Sequence, residues 1–328
     1  MTRLTPAEVD QSARSIMGCQ RVDGLIEWFP GGHADPWNHV EAAMALDVSG
    51  YPDQARLAYR WLASNQLETG GWFQYYAGEG IEDRKQDANT IAYLGAGLLH
   101  HYLTNNDVAF LHEMWPTLRR AIQFVLGMQQ AGGEVIWCRE PDGSLGDYAL
   151  LTGSSSMFHS IVSAHTLSVV VGDEQVEWAA SAQRLGCAVT QHPERFEPKH
   201  RWAMDWYYPV LAGALRGDVA TARLRAAWDR FVIGGEGVRC VDDHPWVTTG
   251  ETAEAAISCV AAGLHEEAEL LLRWVRQLRH ADGSYWTGLH VPDRVHFPAG
   301  ERTTYSTAAV LLADDCRYGT TPASGLFR

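Results

Sequence analysis

The chain has 328 residues, 46% of them hydrophobic, and is therefore long enough to bury a sizeable core. No Pro/Gly/Ser-rich linker and no run of charge divides it, so we predict one domain over residues 1–328, with a C-terminal tail at 317–328. Forty acidic against 26 basic side chains give a formal net charge of −14, which disfavours nucleic acid and anionic membrane surfaces as partners.

The first predicted element is a helix near the N-terminus. Thr5 to Glu8 form a capping-box pattern with Pro6 at the first helical position, so the helix begins there. The residues before it do not form the apolar segment of a signal peptide, and no apolar run along the chain is long enough to span a bilayer. We therefore expect a cytoplasmic protein.

Apolar residues recur with helical spacing along the whole chain. Strand signals are weak in comparison, which favours an all-α protein. The pattern predicts twelve helices, at 6–19, 36–49, 52–67, 87–103, 107–130, 154–171, 174–190, 204–215, 218–231, 249–262, 265–279 and 303–315.

An internal repeat groups these helices into pairs. A glycine, an alanine and a tryptophan recur with identical spacings, at Gly50–Ala55–Trp61, Gly217–Ala222–Trp228 and Gly263–Ala268–Trp274. Each copy is typical of a glycine that ends one helix, followed by a second helix whose alanine permits close approach. Because 328 residues hold six units of about 53 residues, we predict an (α/α)6 toroid of about six helical hairpins.

The second helix of one hairpin ends in the segment from Gln66 to Trp72, which reads Gln-Leu-Glu-Thr-Gly-Gly-Trp. This segment resembles the glutamine–tryptophan repeat of terpenoid cyclases and related prenyltransferases. Looser copies run from Gln130 to Trp137 and from Gln277 to Trp286. The resemblance implies that Gln66 caps an outer helix, and that the helices after these motifs are the inner helices of the ring.

The loops that lead into the predicted inner helices carry many carboxylates and aromatic rings. Five of the six inner helices begin with a carboxylate, which is also a common cap for a helix N-terminus. A ring would direct these loops towards one cavity, where neighbouring carboxylates repel each other. One would then keep its proton while another stays ionised, and glycoside hydrolysis requires such a pair.

Acidic residues with tryptophan at the starts of inner helices also resemble the six-hairpin glycosidases. The resemblance implies a glycoside hydrolase that acts on a small, carbohydrate-containing substrate in the central cavity, with no cofactor and no metal. The catalytic candidates are Asp205, Glu301, Asp87 and Glu251, of which Asp205 and Glu301 have the most site-like neighbours. The candidate substrate-binding residues are Asp35, Trp37, His39, Trp72, Tyr75, Gln86, Asn89, Trp206, Tyr207, His244, Trp246, Trp286, Arg302 and Tyr305.

Three other functions stay open at this point. A class II terpenoid cyclase protonates an alkene with an Asp-x-Asp-Asp-Thr-Ala segment, whereas the matching stretch at 248–253 lacks the proton-donating Asp. A zinc prenyltransferase-like protein would need ligands such as Cys240, Asp242 and His244, whose alternation is unusual for a rigid metal site. A non-catalytic binding toroid would use the same aromatic loops without a catalytic acid.

Overall fold

The structure, a computed structural model, describes residues 2–327 and consists mainly of helices. All twelve predicted helices are present, and those predicted at 87–103 and 218–231 are each divided into two segments. The helices are α1 (Pro6–Met17), α2 (Pro36–Val48), α3 (Pro52–Asn65), α4 (Ala88–Ala92), α5 (Leu94–Asn105), α6 (Val108–Leu126), α7 (Leu151–Val170), α8 (Val176–Gln191), α9 (Ala203–Leu211), α10 (Gly217–Ala226), α11 (Trp228–Phe231), α12 (Thr249–Ala261), α13 (His265–Val275) and α14 (Thr304–Tyr318).

Short antiparallel strands lie in the loops, so the all-α prediction was incomplete. The strands are β1 (His33–Ala34), β2 (Tyr75–Ala77), β3 (Gly80–Asp83), β4 (Gln86–Asp87), β5 (Cys138–Arg139), β6 (Val232–Ile233), β7 (Gly237–Val238), β8 (Trp246–Thr248), β9 (Gly288–His290) and β10 (Val295–Phe297). They form the sheets β1–β2–β3, β10–β9–β8, β4–β5 and β6–β7. Strands of two to four residues are too short to show a period-two pattern in the sequence.

Six of the helices, namely α2, α5, α7, α9, α12 and α14, are mostly buried and contact one another in a cycle. In that order each helix packs against the next, and α14 packs against α2 again. Small residues allow the close approach: a Cβ atom at Gly97 in α5 would lie 2.4 Å from Val40 in α2. The remaining long helices pack outside this cycle, with α3 on α2, α8 on α7 and α13 on α12.

The loop after α3 is anchored to the next outer helix through Gln66. Its Nε2 donates to the carbonyl oxygens of Gly70, at 2.7 Å, and of Thr117 in α6, at 2.9 Å. Gly70 has φ of 97°, and a Cβ atom there would lie 2.5 Å from the carbonyl oxygen of Arg120. The Gln–Trp segment therefore fastens neighbouring hairpins together, as the sequence implied for Gln66.

The same arrangement recurs after α6, but with Gln129 in place of the predicted Gln130. Gln129 Nε2 donates to the carbonyls of Gly133 and of Ser181 in α8. After α13 the corresponding glycine is Gly283, where a Cβ atom would lie 2.6 Å from the backbone of Gln11 in α1. The last of these loops therefore packs against the first helix of the chain.

Described residues of the predicted C-terminal tail at 317–328 pack against the core. Helix α14 continues to Tyr318, and a 3-10 turn follows at Pro322–Gly325. Phe327 is buried, and its ring stacks on His159 with the ring centroids 5.1 Å apart. Within residues 2–327, no helix has both the length and the apolar character needed to cross a bilayer.

Candidate active site

A cavity with two connected lobes lies at the N-terminal ends of the buried helices. The acidic lobe, of about 280 Å³, is lined by Trp28, Asp35, Trp37, Asn38, Gln74, Tyr75, Asp87, Thr90, Met204 and Tyr305. The apolar lobe, of about 320 Å³, is lined by Trp37, Asp87, Asn89, Trp137, Leu150, Thr152, Gly153, Met157, Lys199, Trp202, Met204 and Asp205. Trp37, Asp87 and Met204 line both lobes, so the two lobes are direct neighbours.

Asp35 is held rigidly at the N-terminus of α2. Its Oδ1 accepts from the backbone N–H groups of Trp37, at 2.9 Å, and of Asn38, at 3.0 Å. Its Oδ2 accepts from the indole N–H of Trp28, at 2.7 Å, and from the side-chain amide of Asn38, at 2.6 Å. Burial raises the pKa of Asp35, while these four donors favour the charged form. The residue is therefore a fixed acceptor on the wall of the acidic lobe.

Asp87 caps α4 and separates the two lobes. Only its Oδ1 is used for the cap, accepting from the backbone N–H groups of Asn89, at 2.8 Å, and Thr90, at 3.2 Å. Burial, reinforced by the charge of Asp35, raises the pKa of Asp87 to about 6. A carboxyl group with such a pKa can hold a proton and release it near neutral pH.

Glu251 and Tyr305 meet where α12 and α14 begin. Glu251 lies in the first turn of α12, and burial raises its pKa. Burial and the charge of Glu251 raise the pKa of Tyr305 well above its usual range. Tyr305 lines the acidic lobe, so Glu251 stands beside that lobe although its side chain is not part of the lining.

A second acidic pair, Glu41 and Glu254, is buried in α2 and α12. Burial and the charge of Asp35 raise the pKa of Glu41 to about 8. Burial and the charge of Glu41 raise the pKa of Glu254 well above its usual range. Glu254 accepts hydrogen bonds from the hydroxyl groups of Tyr207 and Tyr208. Burial therefore favours the protonated form of both carboxyl groups, which form a polar layer among the buried helices.

Aromatic rings and methionines line much of the apolar lobe. Trp137 stacks on Tyr148, with ring centroids 5.6 Å apart and an interplanar angle of 15°. Asp205 lies at its edge, where its Oδ1 accepts from the hydroxyl of Thr152 at 2.7 Å, and burial raises its pKa. Asp205, predicted as a catalytic residue, thus lines the apolar lobe and not the acidic lobe that contains Asp35.

Several predicted substrate-binding residues belong to the hydrophobic core instead. His39 is buried with both ring nitrogens occupied, because Nδ1 accepts from Ile26 N–H and Nε2 bonds to Ala58 O. Trp72 and Trp206 are buried and donate their indole N–H groups to backbone carbonyls of Leu62 and of Arg223 and Leu224. Large aromatic residues in a helical protein are as often core residues as ligand platforms, and the sequence did not separate the two.

Two further predicted residues face other side chains. Gln86 is buried, and its Oε1 accepts from the hydroxyl of Thr69 at 2.7 Å. Tyr207 is buried, and its hydroxyl group donates a hydrogen bond to the carboxyl group of Glu254. Neither residue is part of the lining of either lobe, and both contact other side chains instead.

The predicted residues of the last third of the chain lie around the sheet β10–β9–β8. His244 stacks on Trp246 with ring centroids 4.3 Å apart. Trp286 is sandwiched between His296, at 4.2 Å, and the guanidinium of Arg302, at 5.2 Å. Arg302 also pairs with Asp282 at 2.6 Å.

Glu301 lies in the loop between β10 and α14, where its backbone carbonyl accepts from Thr287 N–H. Neither lobe is lined by Glu301, Trp246, Trp286 or Arg302 among the residues that the structure describes. Within the same described residues, no group of three or more His, Cys, Asp or Glu side chains is arranged to hold a metal ion.

No family model matches the chain. Its sequence is 46% identical over 325 residues to the MMP endo-(1,4)-3-O-methyl-α-D-mannosidase of Mycolicibacterium hassiacum, a match that covers 99% of this chain and 90% of that protein. The chain belongs to the family of this endo-mannosidase. It is thus a glycosidase-type hydrolase, and the prediction of a glycoside hydrolase is confirmed.

Solved structures share the fold of this endo-mannosidase family member at low sequence identity. A glycosidase variant in complex with glucose has a TM-score of 0.74 and 14% identity over 98% of both chains. A D-mannose isomerase has a TM-score of 0.69 and 12% identity, covering 94% of this chain and 96% of its own. A sugar epimerase from a ruminal bacterium has a TM-score of 0.70 at 12% identity, over 94% and 98% of the two chains. These matches support the six-hairpin glycosidase-like resemblance, and they do not show the terpenoid-cyclase one.

The endo-mannosidase family member also has cavity residues that sequence reasoning missed. Trp28, Asn38, Trp137 and Met204 line the lobes but were not predicted as site residues. One signal was available for two of them. The buried position that Trp72 occupies in its loop is taken by Ile26 and Val135 in two other loops. Trp28 and Trp137 each come two residues after that position. Residues two apart face the same side only while the segment is extended. A bend changes the direction of the later side chain, so the sequence alone did not show that these tryptophans line the cavity.

Proposed function

We propose that this chain is an endo-acting glycosidase that hydrolyses α-(1,4) linkages between 3-O-methylated mannose units. The proposal transfers to this chain the activity in the name of its relative, which matches 99% of the chain at 46% identity. The observation that carries it is the cavity, in which carboxyl groups with different environments share one wall. Asp35 is held by four hydrogen-bond donors that favour its charged form, whereas burial raises the pKa of Asp87 to about 6 and also raises the pKa of Glu251.

We also propose that six helix pairs form a closed (α/α)6 barrel around this cavity. The cyclic contacts of the buried helices support this arrangement, and so does the approach of Gly283 to α1. In such a barrel the N-termini of the inner helices surround one cavity. Their positive dipole ends would then favour negative charge where Asp35 and Asp87 act as helix caps.

Asp35 serves as the ionised carboxylate in the proposed reaction. Its four hydrogen-bond donors hold it in one orientation and disperse its negative charge. As positive charge develops at the anomeric carbon, this carboxylate stabilises it and either activates the attacking water or attacks the carbon itself. Trp28, Trp37 and Tyr75 line the same lobe and offer apolar faces to the sugar ring.

The proton donor is drawn from Asp87 and Glu251, each favoured by its own observation. Asp87 has one carboxyl oxygen outside the helix cap and lies between the lobes, where a bond joining two sugar units would cross. Glu251 lies close enough to Tyr305, a residue of the acidic lobe, for its charge to raise the pKa of that tyrosine. The donor passes its proton to the glycosidic oxygen as the bond from that oxygen to the anomeric carbon breaks.

Product analysis tests the activity. We expect the wild type to cut 3-O-methylated α-(1,4)-oligomannosides internally, giving shorter oligomers that mass spectrometry identifies. Asp35→Asn, which keeps the shape of the helix cap, should lower kcat about 10²- to 10⁴-fold. Failure of the wild type to cut these oligomers would sink the proposed substrate. Full activity of Asp35→Asn would instead remove Asp35 from the mechanism.

A further inference from the structure

We propose that the apolar lobe is the subsite for an O-methylated sugar, with the methyl group held against Met204 and Met157. This inference rests on the proposed function and adds the residues that distinguish a methylated sugar from an unmethylated one. The chemical class of ligand is a hexose that carries one methoxy group and at least one free hydroxyl group.

The wall of the lobe suits a methyl group better than a hydroxyl group. Leu150, Met157, Trp202 and Met204 form the apolar part of the lining, which carries no side-chain hydrogen-bonding group other than the indole N–H, while Asp87, Thr152, Lys199 and Asp205 are among the residues that line the rest of the lobe. A sugar hydroxyl against such a wall would lose its hydrogen bonds to water and gain none, which costs free energy. A methoxy group buries its methyl there instead, and methionine side chains adapt their shape to it.

A lining residue of the same lobe carries a buried acceptor without a partner. Asn89 is only 6% exposed and lines the lobe, and its Oδ1 has no hydrogen-bond partner. A buried amide oxygen without a partner is costly, and a hydroxyl donor from a ligand would satisfy it. The lobe therefore combines a mainly apolar surface with one buried amide acceptor at its border.

The position of the apolar lobe also suits the binding of the sugar next to the reacting bond. Met204, Trp37 and Asp87 are shared with the acidic lobe, so a sugar bound in the apolar lobe reaches the proposed carboxyl groups. Trp202 is 45% exposed at the side of the lobe, which leaves room for a chain to continue outwards. Selection for the methyl group thus takes place at a unit bonded to the cleaved linkage.

A pair of otherwise identical α-(1,4)-oligomannosides, with and without 3-O-methyl groups, tests the inference. We expect the wild type to prefer the methylated oligomer in kcat/KM by about 10-fold or more, the usual discrimination for one buried methyl. Met204→Gln keeps the length of the side chain but adds an amide, and should bring the ratio of the two kcat/KM values towards 1. Met204→Leu, the matched apolar control, should keep the preference.

Two outcomes would overturn the inference while the proposed hydrolysis stands: equal kcat/KM of the wild type on both oligomers, or an unchanged preference in Met204→Gln. Cleavage of neither oligomer by the wild type would contradict the proposed function itself. Trp202→Ala gives a second test should Met204→Gln not fold, because Trp202 is partly exposed. It should lower kcat/KM for the methylated oligomer more than for the unmethylated one, and an equal effect on both would count against the subsite.

Discussion

The hydroxyl group of Tyr305 lies directly over the backbone of Gly250, where a Cβ atom would stand only 1.9 Å from it. This contact joins the first turns of α14 and α12 beside Glu251. It explains why the segment before Glu251 contains a glycine inside a helix, where glycine is otherwise unfavourable.

Gly250→Ala should displace Tyr305 from the acidic lobe. We expect a loss of about 1–3 kcal/mol in the free energy of unfolding, the usual cost of overpacking, together with lower kcat. Gly234→Ala is the matched control, because no atom lies within 4 Å of a Cβ at that position. Chemical denaturation and activity assays measure both effects. If Gly250→Ala has the stability and activity of the wild type, the contact between Tyr305 and residue 250 is not closely packed.

The anchoring of the loop after α3 predicts different costs for two glycines with similar backbones. Gly70 has φ of 97° and faces the Arg120 carbonyl, whereas Gly143 has φ of 89° with no atom within 4 Å of a Cβ. Alanine at either site adopts an unfavourable left-handed conformation, costing about 1–2 kcal/mol. Gly70→Ala should lose about 1–3 kcal/mol more, because it also overlaps α6. Equal unfolding free energies of the two variants would contradict the close packing.

Glu41 predicts a pH dependence of stability. Its ordinary pKa of 4.5 rises to about 8 in the folded protein, mainly through burial. Between these values the folded state binds more protons than the unfolded state, so the free energy of unfolding falls as the pH rises. Glu41→Gln removes this titration and should gain stability relative to the wild type from pH 5 to pH 9, by up to about 1.4 kcal/mol per pH unit. Denaturation of both proteins across that range measures the difference. If the free energies of unfolding of the two proteins change in parallel with pH, Glu41 is not the group that titrates.

Asp87 predicts the alkaline limb of the activity profile. With its pKa raised to about 6, Asp87 loses its proton above that pH, so kcat/KM of the wild type should fall there. The residual activity of Asp87→Asn should no longer change near pH 6, while Asp205→Asn should keep the limb. If kcat/KM of Asp87→Asn still falls above pH 6, the proton donor is Glu251.

Helix positions followed from the sequence because apolar periodicity and caps are local. The capping box at Thr5 and Glu8 is present as predicted, and all twelve helices appear close to the predicted bounds. The short strands could not be predicted, since pairs such as β4 with β5 join residues far apart in the chain. The true register of the Gln–Trp repeat, Gln129 and not Gln130, also depended on contacts with the neighbouring helix.

The site was predictable as a set of helix starts but not as a list of side chains. Asp35, Asp87, Asn89 and Tyr305 reach the cavity because each lies at the start of a buried helix. Trp72 lies in such a loop and His39 in the first turn of α2, yet both point into the core, because a shift of one or two residues reverses the direction of a side chain. Met204 gave no sequence signal, since methionine is usual in any core.

The central claim is that cavity carboxyl groups carry out the hydrolysis, and substrates with different leaving groups test it most directly. We would measure kcat of the wild type, Asp35→Asn, Asp87→Asn and Glu251→Gln on a methylated oligomannoside and on a mannoside with an activated aryl leaving group. We expect Asp35→Asn to lose activity on both substrates, and either Asp87→Asn or Glu251→Gln to lose activity only on the oligomannoside, because a good leaving group needs no proton. Retention of oligomannoside hydrolysis by all three variants would contradict it.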